Sequence, residues 1–202
     1  MNCLLITHQF IKPNENWKKE LFLFTLTYYK KWNPDTYIIL TGHGEKFWES
    51  DDIFNYIDWY YWSDKILEGE INKGHPKLCY IGLLHAKEKK FEYVCKTRLD
   101  SIIMIPNLLK FCHEKLIESG KLLINTHFYK THYLLMDLFN YASVDLLLNL
   151  YNPNKWVVSW DKSGLGPVAN NYLNYFNFIV KFPFNKEYWT NCVLEKTLIE
   201  SH

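Results

Sequence analysis

Short runs rich in β-branched, leucine and aromatic residues recur along this chain, most of them followed by a stretch with helical spacing, and that alternation constrains the fold most. Cys3-Leu4-Leu5-Ile6 reads as a short buried strand. After Pro13-Asn14, the segment Glu15 to Trp32 sets Trp17, Leu21, Phe24 and Tyr28 on one helical face, and Asn33-Pro34 ends it. Tyr37 to Leu40 is a second β-rich run, closed by Thr41-Gly42-His43-Gly44, and Trp59 to Trp62 is a short third one. Pro76 to Lys89 is helical, with Leu78, Ile81, Leu84 and His85 at helix spacing. Glu92 to Ile105 is a β-type stretch interrupted by Lys96, Arg98 and Asp100, and Pro106 opens a helix that runs to Gly120.

The second half repeats the theme. A strand at Leu122 to Asn125 precedes a mixed segment from Tyr129 to Phe139 and a helix from about Ser143 to Tyr151. Beyond Asn152-Pro153-Asn154 come a strand at Trp156 to Trp160, a glycine turn at Gly164 to Gly166, a helix over Val168 to Phe176 and a last strand at Phe178 to Phe182. No repeat and no linker interrupts the 202 residues, so one domain over 1–202 is expected. Strands alternating with helices predict an α/β fold, a mainly parallel sheet with helices on both faces. In such sheets ligands bind at the carboxyl ends of the strands.

Charge narrows the partners. Twenty-three Lys and Arg against 22 Asp and Glu leave a net charge of +1, so no broad field favours nucleic acid or an anionic membrane. An anionic ligand would have to be held locally. The five cysteines are scattered without a C-x-x-C pair, which suits buried thiols in a reducing compartment. The first residues lack a basic segment ahead of a long apolar run, and no stretch reaches the ~18 apolar residues of a membrane span. A soluble, cytoplasmic protein is therefore expected.

Among the basic residues only Arg98 is an arginine. Together with abundant Asn, Ile, Tyr and Phe, this points to an AT-rich genome, in which lysine is the default cation; a large DNA virus or a bacterial surface-polysaccharide locus would suit it, and a viral origin would mean the host cytoplasm. A single arginine then marks a place that needs a planar, bidentate fork. It sits in Tyr93-Val94-Cys95-Lys96-Thr97-Arg98-Leu99-Asp100-Ser101, where Lys96, Arg98 and Asp100 alternate and so share one face of a strand. A strand-end carboxylate can hold a divalent cation, and a guanidinium beside it can take a phosphate oxygen. The competing reading is an edge strand with one solvated, charged face.

The surrounding segments extend the pattern. Asn72-Lys73-Gly74-His75-Pro76-Lys77 leads into a helix that carries Gly82-Leu83-Leu84-His85-Ala86, and the next strand ends in Lys96-x-Arg98-x-Asp100. Later come Tyr133-Leu134-Leu135-Met136-Asp137-Leu138-Phe139-Asn140-Tyr141-Ala142-Ser143 and Asp145-Leu146-Leu147. In order and spacing these segments resemble GT-A-fold glycosyltransferases, particularly the WavE-type lipopolysaccharide and capsule synthesis group, over about Leu4 to Phe176. The resemblance implies a single-domain GT-A-like, Rossmann-like sheet and a glycosyltransferase that moves a sugar from a nucleotide diphosphate-sugar donor to a hydroxyl of a glycan or glycoprotein.

It also implies site residues. The strand-end acid of the GT-A fold belongs to a D-x-D element that holds Mn²⁺ or Mg²⁺ against the donor pyrophosphate. Here Arg98 stands at the first acidic position, which leaves Asp100 as metal ligand and lets Arg98 neutralise part of the diphosphate. Thr7, His8 and Gln9 follow the first strand, where the fold cradles the nucleoside. His75 and Lys77 lie in the Asn72 to Lys77 loop before a helix, in reach of a donor phosphate or sugar, the competing reading being helix capping with solvated side chains, and Lys96 joins the same donor-binding set.

Two acids are candidates for the base that activates the acceptor. Asp137 lies in an apolar run and needs a partner if buried, while Asp161 follows the strand at Trp156 to Trp160. Trp156, Trp160, Tyr129 and Tyr133 could offer an aromatic platform to a sugar, although most aromatics of such a chain serve the core. His127 and His132 have metal-ligand spacing without a paired acid. Two other functions compete: a non-catalytic sugar-nucleotide or glycan-binding module, and a sugar-phosphate nucleotidyltransferase, against which the absence of glycine in Thr7-His8-Gln9-Phe10 counts.

Overall fold

In the computed structural model the described residues are 2–8, 16–44, 54–63, 74–98, 106–120, 122–125, 128–129, 134–135, 139–153 and 179–181. Nine strands are present among them: β1 (Asn2–His8), β2 (Thr36–His43), β3 (Trp59–Ser63), β4 (Tyr93–Arg98), β5 (Leu123–Asn125), β6 (Phe128–Tyr129), β7 (Leu134–Leu135), β8 (Phe139–Ser143) and β9 (Ile179–Lys181). Seven of them form one sheet in the order β3-β2-β1-β4-β8-β5-β9, and β6 pairs with β7 as a separate antiparallel ribbon. The ladders β1–β2, β1–β4, β2–β3 and β5–β9 are parallel. Only β8 runs against its neighbours, β4 and β5. The fold is α/β with a mainly parallel sheet, as the alternation of runs predicts.

Alternation along each strand divides the apolar side chains between two layers. Leu4, Ile6, Ile38, Leu40, Cys95, Ile124 and Tyr141 pack on one side against Phe22, Leu26 and Tyr29 of α1 (Asn16–Trp32) and Leu109, Cys112 and Leu116 of α3 (Leu108–Ser119). Cys3, Leu5, Ile39, Val94, Leu123 and Ala142 pack on the other against Cys79, Leu83 and Ala86 of α2 (Gly74–Glu88) and Val144, Leu147 and Leu150 of α4 (Val144–Leu150). Helices therefore cover both faces. Each fully buried Leu or Ile contributes about 1.5–3 kcal/mol, so the doubly covered strands β1, β2 and β4 anchor the molecule.

Two local devices set the helices. Ser143 caps α4, its Oγ accepting from the Leu146 N–H at 3.3 Å. Gly82 lets α2 approach the sheet, because a β-carbon there would overlap Leu5 Cδ1 and lie 3.1 Å from Thr41 Cγ2.

The structure corrects several expectations. The buried face of α1 is Phe22, Thr25, Leu26 and Tyr29, while Phe24 is exposed and Tyr28 only half-buried. Both stripes have helical period, and the stripe nearer the sheet wins. On α2, Leu84 is exposed and Leu83 takes the core position. The segment from Tyr129 to Phe139 holds the last residue of β6 and all of β7, and β8 begins at its end, where the sequence predicts no strand. Most decisively, β4 is the central strand between β1 and β8, so the solvated-edge reading of Lys96 and Arg98 fails: Lys96 is 0% exposed and Arg98 half-buried. Burial of the other expected kind holds. Cys3, Cys79, Cys95 and Cys112 are free and buried, and burial pushes the thiols of Cys3, Cys95 and Cys112 up, leaving them unreactive.

Candidate functional site

The carboxyl ends of β1, β2, β3 and β4 lie together on one edge of the sheet. Parallel register sets Thr7 beside Thr41 on one side and beside Arg98 on the other. The Thr7 hydroxyl donates to the Thr97 carbonyl at 3.3 Å, tying β1 to β4 at this edge. Thr7 and Thr41 are buried, and Arg98, the last residue of β4, is partly open. By alternation with Leu5, Ile39 and Val94, these residues share the sheet face covered by α2 and α4.

One strand repeat behind Arg98 on that face is Lys96, fully buried. Its ammonium lies 5.6 Å from the centroid of the Tyr151 ring. Asn140 stands opposite Lys96 in the β4–β8 register and donates from Nδ2 to the Tyr151 hydroxyl at 2.9 Å. The three residues close a triangle across β4, β8 and the end of α4. A cation over a desolvated aromatic face gains about 2 kcal/mol or more, which offsets part of the cost of burying the charge.

The helix α2 brings further groups. Its middle, at Gly82, lies over Leu5 and Thr41, and its last turn reaches the beginnings of β2 and β3, so it runs against the parallel strands with its first turn at their carboxyl edge. The first-turn N–H groups carry the positive end of the helix dipole, and Lys77 is exposed there. On the other sheet face at this edge, Trp62 near the end of β3 packs over Gly42, leaving no room for a β-carbon, and donates from Nε1 to the Gly44 carbonyl at 2.8 Å. His43, buried beside them, is held below the ordinary histidine value by that burial. The described charges of this edge are thus cationic, a composition that suits an anion.

Opposite, at the amino ends of the strands, His85 stacks on Trp59 with centroids 4.1 Å apart and planes 9° from parallel, and its Nε2 meets the Tyr37 hydroxyl at 3.1 Å. The segment Gly82 to Ala86 therefore has packing reasons for its residues: close approach at Gly82, core at Leu83 and Ala86, an aromatic stack at His85.

Of the residues singled out from sequence, Thr7, Lys96 and Arg98 come together on the α2-side face, and Lys77 stands at the start of α2. His8 closes β1 opposite Gly42, and His75 is the second residue of α2. Gln9, Asp100, Asp137 and Asp161 lie outside the described residues, as do His127, His132, Tyr133, Trp156 and Trp160, the strand expected at Trp156 to Trp160 and the helix expected over Val168 to Phe176. Sequence reasoning passed over Asn140 and Tyr151. An asparagine between Phe139 and Tyr141 was the available signal, since a polar residue in so apolar a run needs a buried partner.

Among the described residues no group of three His, Cys, Asp or Glu is placed to hold a metal ion. The described residues alone do not make a site for a divalent cation, and Asp100, expected as the metal ligand, lies outside them. Likewise, no helix of the described residues is long and apolar enough to cross a membrane.

No protein-family model matches the chain, and no curated protein matches its sequence. Solved structures do match in fold. A protein assigned as a nucleotide-diphospho-sugar transferase from Desulfovibrio desulfuricans G20 superposes over 99% of this chain and 97% of its own, with a TM-score of 0.52 at 8% identity. Residues 1–349 of TarS from S. aureus align with 92% of this chain and 59% of theirs, with a TM-score of 0.59 at 13% identity. A cytidylyltransferase from Leptospira borgpetersenii aligns with 92% of this chain and 77% of its own, with a TM-score of 0.55 at 13% identity. At these identities the likeness establishes the fold, a GT-A-like α/β sheet.

Proposed function

We propose that the chain is a glycosyltransferase that moves a sugar from a nucleotide diphosphate donor to a hydroxyl of a glycan or glycoprotein. The observation that carries this reading is the position of Arg98: the only arginine of the sequence ends the central strand, beside Thr7, on an edge whose other described charges are also positive. A planar fork there takes two phosphate oxygens at once.

Transfer breaks the bond between the anomeric carbon and the diphosphate oxygen while the acceptor oxygen bonds to that carbon. Negative charge grows on the leaving diphosphate, and Arg98, Lys77 and the first-turn N–H groups of α2 stabilise it without reorganising. In an inverting reaction the acceptor proton passes to a carboxylate, for which Asp137 or Asp161 is our candidate; in a retaining one those acids orient the acceptor. Thr7, His8, Gln9 and His75 complete the donor site in this proposal. Asp100 would hold any Mn²⁺ or Mg²⁺, which would add charge neutralisation at the diphosphate. The narrower kinship with the WavE-type group rests on its motif residues.

The likeness to a cytidylyltransferase favours one second reading, nucleotidyl transfer to a sugar phosphate. One experiment separates them. The protein is incubated with UDP- and GDP-sugars and Mn²⁺, and in parallel with nucleoside triphosphates and sugar 1-phosphates. Release of free nucleoside diphosphate supports the transferase. Pyrophosphate release replaces it with the nucleotidyltransferase, and binding without turnover in either set replaces it with a sugar-nucleotide or glycan-binding module.

A further inference from the structure

We propose that Thr41 is a positioning residue that sets the Thr7 hydroxyl against a phosphate oxygen of the donor; the inference rests on the transferase reading above. Thr41 is 0% exposed, and its Oγ1 is buried without a hydrogen-bond partner. Helix α2 closes over it at Gly82, where an added β-carbon would lie 3.1 Å from Thr41 Cγ2. A buried hydroxyl left unpaired costs stability, and valine, of nearly the same shape, would avoid that cost and suits a strand as well. A threonine here calls for a second arrangement in which its hydroxyl is used.

The register supplies one. Thr7 of β1 lies directly beside Thr41 on the same sheet face, with Arg98 of β4 on its other side. Neighbouring strands are about 4.8 Å apart, near enough for two threonine hydroxyls to bond across the pair. In the free protein Thr7 Oγ1 donates to the Thr97 carbonyl at 3.3 Å, which is long for a hydroxyl donor and therefore weak. A diphosphate gripped by Arg98 brings a charged, stronger acceptor to the same strand end. The Thr7 hydroxyl turns to it from one staggered position to another, and the Thr7 oxygen then accepts the Thr41 hydroxyl. The chain from Thr41 to Thr7 to phosphate satisfies the group left orphaned in the free protein, and each bond in it polarises the next.

The test is calorimetric titration of the full chain with UDP and GDP, each beside its own nucleoside, together with thermal unfolding. The proteins are the wild type, Thr41→Val, Thr41→Ser, Thr7→Val and the double valine variant. Thr41→Val removes the orphan and is expected to raise the thermal midpoint, yet to weaken diphosphate binding three- to tenfold while sparing the nucleoside. Thr41→Ser keeps the hydroxyl but loses the methyl beneath α2, and is expected to lower the midpoint while diphosphate affinity stays within twofold. With Thr7 already valine, Thr41→Val is expected to change affinity no further, since both groups act in one chain. If Thr41→Val does not fold, Thr41→Ala read against Thr41→Ser decides by the same ratio. Diphosphate affinity within twofold of wild type without the Thr41 hydroxyl, equal losses for diphosphate and nucleoside, losses that add in the double variant, or affinity and midpoint falling together overturn the inference and leave the transferase reading standing. A wild type that binds neither diphosphate overturns that reading and the inference with it.

Discussion

Arg98 of β4 stands opposite Thr7 of β1 in their parallel register, and the Thr7 hydroxyl is spent on the neighbouring Thr97 carbonyl. The backbone that presents the guanidinium is therefore braced by the adjacent strand. Replacing Arg98 by lysine keeps the charge but loses the fork, and is expected to cost about 1–3 kcal/mol of donor binding, the scale of one charged hydrogen bond. Donor affinity measured beside thermal stability checks it. A tenfold loss with an unchanged midpoint fits a phosphate-facing arginine, whereas a lowered midpoint with unchanged affinity makes it a structural one.

Gly82 should tolerate no side chain. In Gly82→Ala the new methyl meets Leu5 of β1 and Thr41 of β2, and separating α2 from the sheet is expected to cost about 1–3 kcal/mol. Denaturant unfolding would show it as a lower midpoint with an unchanged slope. A variant as stable as the parent would mean that α2 does not sit this close.

Stability should fall in mild acid. Burial lowers the proton affinity of His85, with exposed Glu88 opposing and Lys89 adding to the effect, and burial alone lowers that of His43. Between the folded value and the ordinary 6.5, the unfolded chain binds more protons than the folded one, so stability is full above about 6.5 and drains as pH falls below it. His85→Phe keeps a ring on Trp59 and cannot titrate. Its thermal midpoint is expected to depend less on pH than that of the parent between about pH 7 and pH 5, as scanning calorimetry would record.

Free protein should bind Mn²⁺ weakly. The described residues contain no three-ligand cluster, and the described charges at the carboxyl edge are cationic. If Asp100 is the only protein carboxylate on the ion, affinity should rise sharply once a nucleoside diphosphate supplies further oxygens. Calorimetry with and without UDP tests this, and tight binding to the free chain would point first to His127 and His132.

The alternation of strands and helices was legible because nearly every buried strand is a short apolar run, from Leu4-Leu5-Ile6 to Ile38-Ile39-Leu40. The face of α1 was not, because aromatics lie all around that helix and two stripes share one period: Phe22, Leu26 and Tyr29 inward, Phe24, Tyr28 and Trp32 outward. Strand β8 escaped notice since it is short, antiparallel and holds an asparagine at its second position. The strand-end positions of Thr7 and Arg98 were legible from the apolar runs that precede them. The burial of Lys96 could not be, because its compensating ring, Tyr151, arrives from a distant helix end that only the folded chain brings near.

The reversed direction of β8 has a consequence for how this molecule can vary. β5 runs with β4 and ends on the carboxyl edge, while β8 begins on that same edge, so the connection 126–138, with its β6–β7 ribbon, leaves and re-enters the sheet from one side. Two neighbouring strands thus anchor both ends of this connection at one rim. Its length can change at a closure cost that grows only with the logarithm of the residues added, and no ladder need slip to accommodate it. Descendants of such a chain are free to retool what meets that rim while inheriting the layered core intact, and an engineer exchanging 126–138 between relatives would be making the same move.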